Sequence, residues 1–124
     1  MRSLWLVAVG GALGAVARAV LSTAIRSRWP TTLPASTIAV NMAGCLLLGL
    51  LMGFLESRPH LAPTWRAFGA VGVLGAFTTF STFEYETFAL LQQGEVPAAL
   101  VNVGLSVVVG LAAVYLGHHF GRLA

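Results

Sequence analysis

The sequence predicts an all-α membrane protein with four transmembrane helices, the third broken near its middle, in a single domain over residues 1–124. Three observations predict it. Of the 124 residues, 57% are hydrophobic and only 9% charged, whereas a soluble domain carries about a quarter charged residues. The apolar residues come in runs of the roughly 20 residues that span a bilayer, not in short alternating stretches. Between the runs lie Pro30, Pro34, Pro59, Pro63 and the "QQGEVP" turn, which are helix-ending signals. Trp5, Trp29 and Trp65 fall at block edges, where interfacial aromatics belong. No soluble catalytic domain fits beside the four blocks. The expected surroundings are membrane lipid, with no nucleic-acid partner.

The first block, "LWLVAVGGALGAVARAVLSTAI" (4–25), follows Arg2 as a signal peptide would. It is too long for the apolar core of such a peptide and it contains Arg18, so it is expected to stay as a permanent helix. A charge inside the membrane costs at least about 2.5–3.5 kcal/mol on insertion scales. Two readings of Arg18 stand: a vestibule or interface charge, or a side chain that snorkels to the helix end. The second block (33–56) carries Thr37 and Asn41 four residues apart, with Gly44 and Cys45 continuing that face. Cys45, the one cysteine, has no disulfide partner within the chain and reads as a small packing residue.

The third block (65–92) holds the most unusual stretch, "GAFTTFSTFEYE" at 75–86. Gly72, Gly75 and the β-branched pair Thr78 and Thr79 are poor helix material at mid-membrane depth. A break there frees backbone carbonyls, which is tolerated only inside protein or along a cavity. Discontinuous helices commonly coordinate ions with such carbonyls. Phe80 and Phe83 share a face, about 4.5 Å apart along the axis. Aromatic rings have positive edges that attract anions without binding them tightly. Simple packing of both rings is the equally open alternative. Glu84 and Glu86 point to opposite sides of a helix, so they do not form a carboxylate pair. The fourth block (96–120) sets Asn102 and Ser106 four apart, with Gly110 next on the stripe. The Asn, Thr, Ser and Arg groups of these stripes all donate hydrogen bonds, which favours an anion. His60, His118 and His119 are too scattered to hold a metal.

Orientation is weakly specified. With four spans, Arg2, Arg58, Arg66 and Arg122 lie on one side and Arg26 and Arg28 on the other, and there is no lysine. Cytoplasmic loops normally carry a clear excess of positive charge. So small a bias leaves open either a single orientation or insertion both ways, and the latter permits an antiparallel homodimer. Four short helices are also few to enclose an ion path, which favours oligomers. The spacings Gly10/Gly14, Gly49/Gly53 and Gly117/Gly121 allow close helix contact, within or between subunits.

Together, "GGALGAVAR" (10–18), "TIAVNMAGCLLLG" (37–49) and "GAFTTFSTFEYE" (75–86) resemble the CrcB/Fluc family of fluoride ion channels, in order and over essentially the whole chain. The resemblance implies a dual-topology, antiparallel homodimer in the cell membrane, of bacterial inner-membrane type. It implies two passive pathways for fluoride and no enzymatic activity. Phe80 and Phe83 match the family's pore phenylalanines and Asn41 its pore asparagine. Ser81 and Thr82 match the hydroxyls beside the rings, with Thr79 in the same run, while Thr37 and Ser106 fall on the polar track. Gly75 and Thr78 match helix-break positions whose carbonyls hold a central structural Na+. Arg18 matches the first-helix arginine and Glu86 the glutamate after the Phe-rich run. Two positions depart from the pattern. Gly110 replaces a hydroxyl that can extend the track, leaving water or Asn102 to substitute, and Glu84 is an extra acid. The rival reading is a small four-helix, dual-topology exporter of cationic compounds. That chemistry calls for a deep carboxylate in the first helix, where this sequence has Arg18.

Overall fold

The computed structural model describes residues 3–124. Arg2, one of the charges in the orientation count, lies outside them. The described residues are helical apart from short connections. Helix α1 spans Leu4–Arg28 and α2 spans Ala35–Glu56. The third crossing begins with α3, Ala62–Trp65, and passes directly into a π-helical stretch, Arg66–Leu74, and a last turn, α4, Gly75–Phe77. After a break come α5, Phe80–Gln92, and α6, Val96–Leu123. Three of these, α1, α2 and α6, are each long and apolar enough to cross a membrane alone. The other crossing is assembled from two shorter pieces, residues 62–77 and 80–92.

Every boundary falls within about three residues of the sequence expectation, and the differences have local causes. Pro63 does not precede the third crossing but sits in its first turn, where a missing N–H leaves no bond unmade. Pro97 does the same for α6. The "QQGEVP" turn closes α5 with Gly94 at φ +77°, a left-handed conformation that glycine adopts freely. Glu95 N–H then donates to Leu90 C=O at 2.8 Å and Gly94 N–H to Leu91 C=O at 3.1 Å, a Schellman closure. The π-helical stretch had no signal in the sequence. Such stretches are rare and gather at functional sites.

Two close-packed pairs of elements carry the fold, and glycine makes both. α2 lies along α6, with Gly49 and Gly53 against the Val114 and His118 carbonyls, and Gly117 and Gly121 against those of Leu46 and Leu50. α1 lies along the π-helical stretch, with Gly10 and Gly14 against the carbonyls of Phe68 and Val73. A methyl group at any of these six glycines would overlap a backbone atom. All three small-residue spacings therefore act within one protomer. At one end, Glu56 lies 2.7 Å from His118 Nε2 and 3.2 Å from Arg122 Nε, fastening α2 to α6.

The outer surface is strongly apolar. Val16 and Val20 on α1 and Leu100, Val108, Leu111 and Tyr115 on α6 are exposed in the single protomer. Patches this large need lipid or another protein surface.

Gly53→Ala should destabilise the protein by about 1–3 kcal/mol through overpacking. Gly11→Ala, which meets open space, should change stability by less than about 0.5 kcal/mol. Reversible unfolding in detergent measures both.

Candidate functional site

The break in the third crossing lies at Thr78 and Thr79. Thr78 turns extended at ψ 159°, and Thr79 follows at φ −149°, ψ 114°. The chain leaves α4 with Thr78 N–H and Thr78 Oγ1–H both donating to Leu74 C=O, at 3.0 Å each. It enters α5 with Thr79 as N-cap, its Oγ1 accepting Thr82 N–H at 3.3 Å. Gly75 itself remains helical, so the break falls at the end of the expected Gly75–Thr78 segment.

Asn41 of α2 holds this break together. Its Oδ1 accepts Thr79 N–H at 2.8 Å, and its Nδ2 donates to Thr79 C=O at 3.1 Å. The carboxamide pairs with the backbone as a neighbouring strand would, satisfying two groups that a helix would otherwise have satisfied. One of its two N–H groups is thereby committed to structure, and the other is the donor it can offer a ligand.

The same arrangement releases two carbonyls. Thr79 N–H, which would close a helical turn on Gly75 C=O, goes to Asn41, and Thr82 N–H, which would close on Thr78 C=O, goes to the cap. Gly75 is exposed and lines a cavity beside the break. Unwound carbonyls of this kind are the hard oxygen donors that suit an alkali cation.

A cavity of about 300 Å³ opens beside the break, and Asn41, Thr78, Thr79, Phe80, Phe83 and Ser106 are among its lining residues. Phe80 and Phe83 meet at 5.8 Å between centroids with planes tilted by 54°, so the two rings do share a face. Their environments differ sharply: Phe83 is 6% exposed and Phe80 73%. Ser106 presents an Oγ that is buried without a hydrogen-bond partner. A second cavity, of about 360 Å³, lies towards the α1–α2 connection and is lined by Arg26, Trp29, Ser36 and Glu86 among others. Thr37, buried on α2 between Ser36 and Asn41, donates to Glu86 Oε1 at 2.6 Å. This charge-assisted bond stands between the two cavities along α2.

The remaining expected residues are placed elsewhere. Ser81, Thr82 and Glu84 are exposed on α5, and Arg18 is half-buried on α1 and lines neither cavity. Asn102 is fully buried, donates to Thr87 Oγ1 at 2.9 Å and is not among the residues that line the first cavity. Sequence reasoning missed Arg26 and Ser36 in the second cavity, and also Thr87. The last lies four residues after Phe83, a spacing that could have drawn attention to it.

Known proteins resemble this chain over nearly its whole length. A family model described as "CrcB-like protein, Camphor Resistance (CrcB)" matches residues 5–118. The chain is 45% identical to a protein of Acidobacterium capsulatum named fluoride-specific ion channel FluC, over 98% of this chain and 97% of that one. It is 45% identical to the protein of that name from Hydrogenovibrio crunogenus, over 96% and 92% of the two chains. It is 48% identical to fluoride-specific ion channel FluC 2 of Symbiobacterium thermophilum, over 90% of each.

Asn41→Leu leaves both Thr79 backbone groups without their partner, and should lower stability by about 1–3 kcal/mol. It should also speed hydrogen exchange at the Thr79 amide, which mass spectrometry of the detergent-solubilised protein can read.

Proposed function

This chain belongs to the CrcB family, and we propose that it is a multi-pass membrane channel that conducts fluoride passively out of the cell. Hydrogen fluoride is a weak acid that crosses membranes uncharged and ionises in the less acidic cytoplasm, which traps the anion. A membrane potential negative inside then drives fluoride outward through any selective path, with no nucleotide or coupled proton. The observation that carries this reading is the joint lining of one cavity by the Phe80–Phe83 ring pair, the Asn41 carboxamide and the Ser106 hydroxyl.

Fluoride is small and strongly hydrated, so a path must replace its water with hydrogen-bond donors. Asn41's second N–H and the Ser106 hydroxyl supply donors at the cavity. The ring edges of Phe80 and Phe83 add weak electrostatic attraction that does not trap the ion. At the second cavity, the Arg26 guanidinium favours an anion. Glu86 opposes one, and Thr37 holds a Glu86 oxygen against α2 by the 2.6 Å bond. An arriving fluoride competes with Glu86 for the Thr37 proton, so the bond acts as a station between the two cavities. Thr79, Ser81 and Thr82 supply further hydroxyls near the rings.

The functional unit in this reading is an antiparallel homodimer with two pathways. Phe80, largely uncovered beside the first cavity in one protomer, supports it, because a second copy would complete the wall. The released Gly75 and Thr78 carbonyls of each copy would hold a structural Na+ at the shared axis. That cation would supply fixed positive charge and tie the two breaks together. Arg18 then faces a vestibule or the interface. The cation-exporter alternative needs an acid deep in the first helix, and α1 carries Arg18 and no acidic residue.

Liposomes loaded with fluoride and containing the purified protein should lose it rapidly under a potential, and retain chloride. Phe80→Ile should slow the fluoride flux by at least about tenfold, the rate equivalent of 1.4 kcal/mol. Well-folded wild-type protein that passes no fluoride would sink the proposal, and equal passage of chloride would sink the selectivity. Crosslinking that found all subunits in one orientation would remove the antiparallel arrangement.

A further inference from the structure

Below the break, α5 has no covalent helix above it to fix its rotation, so its contacts with α2 and α6 must do so. On the α6 side the contact is polar. Asn102, with none of its surface exposed, donates from Nδ2 to Thr87 Oγ1 at 2.9 Å. Thr87 Oγ1 in turn donates its proton to Phe83 C=O at 2.8 Å. The hydroxyl accepts from one partner and gives to the other, so the direction of the whole relay is fixed. Asn102 Oδ1 meanwhile is buried with no partner.

That last fact is informative. A fully buried carboxamide whose oxygen has no partner is unfavourable compared with an apolar side chain of similar size. A leucine would fill the position without that penalty, but it would leave α5 free to rotate against α6, because apolar contact is non-directional. Only Nδ2 of Asn102 makes a bond; that bond ends on Thr87 Oγ1, and Thr87 passes it on to the backbone carbonyl of one residue, Phe83. We infer that Asn102, acting through Thr87, is a positioning residue that sets the angle at which the Phe83 ring faces the cavity. This rests on the channel reading for its functional consequence, though not for its geometry. Asn102 thus acts on the pathway through the backbone of α5, without lining the path itself.

The test labels the ring. Full-length protein carrying 4-fluorophenylalanine at position 83 gives a ¹⁹F signal that reports the ring's surroundings, and fluoride efflux is measured on the same unlabelled variants. Thr87→Val and Asn102→Leu cut the relay from opposite sides, so one suffices if the other fails to fold. Either should shift or broaden the ¹⁹F signal and lower the flux roughly tenfold, the effect of one lost buried hydrogen bond. Thr87→Ser keeps the hydroxyl and should recover the wild-type signal and most of the flux. An unchanged signal in a folded variant overturns the inference, whatever the flux does. Unchanged flux alongside a shifted signal overturns the functional part. A wild-type protein without flux sinks the channel reading, while the ¹⁹F comparison still decides the positioning.

Discussion

The pairing of the Asn41 carboxamide with the Thr79 backbone is the interaction on which the rest depends. An extended segment within a membrane-spanning helix leaves peptide groups unpaired, and hydrocarbon offers them nothing. Asn41 supplies both an acceptor at 2.8 Å and a donor at 3.1 Å, so the helix can stop at Phe77 and restart at Phe80. From that one substitution of side chain for backbone follow the released carbonyls of Gly75 and Thr78, the independent α5, and the cavity beside them. A continuous helix would have none of these.

The scaffold around the break is stiff for a different reason. Apolar side chains gain little by leaving lipid for one another, so close backbone approach and dispersion take over from the hydrophobic effect. Glycine supplies that approach between α2 and α6 and between α1 and the π-helical stretch. Two close-packed pairs therefore flank a half-helix, α5, that buries Phe83 and Leu90 and carries three polar tethers: Asn41 at its start, Thr37 on Glu86, and Asn102 on Thr87. The tethers are directional where the glycine contacts are not. This division suits the proposed site, whose rings would have to be aimed.

Under the proposed function, the same donors face a conflict. Groups that would replace a fluoride ion's hydration must be unsatisfied enough to bind it, yet buried polar groups left unsatisfied destabilise the fold. Asn41 resolves the conflict by using one N–H for the break and keeping another. Thr37 resolves it by bonding Glu86, a partner that an anion can compete with. Ser106 Oγ is left buried without a partner and bordering the cavity.

The sequence by itself determined the four crossings, most of their ends, the concentration of hydroxyls and phenylalanines at residues 78–83, and the resemblance that the family comparison supports. These properties are local, since run length, turn residues and motif spacing act over a few neighbouring positions. Which donors are committed and which are free was decided only by the tertiary structure. Asn41 and Thr79 are 38 residues apart and Thr37 and Glu86 are 49 apart, and no periodicity within one helix encodes a partner on another. For the same reason the glycine spacings were visible but their partners were not. Asn102 likewise showed in the sequence as one polar residue on a stripe. Its bond to Thr87 became apparent only when packing placed the two together, because a hydrogen bond's direction is a property of two elements and not of one.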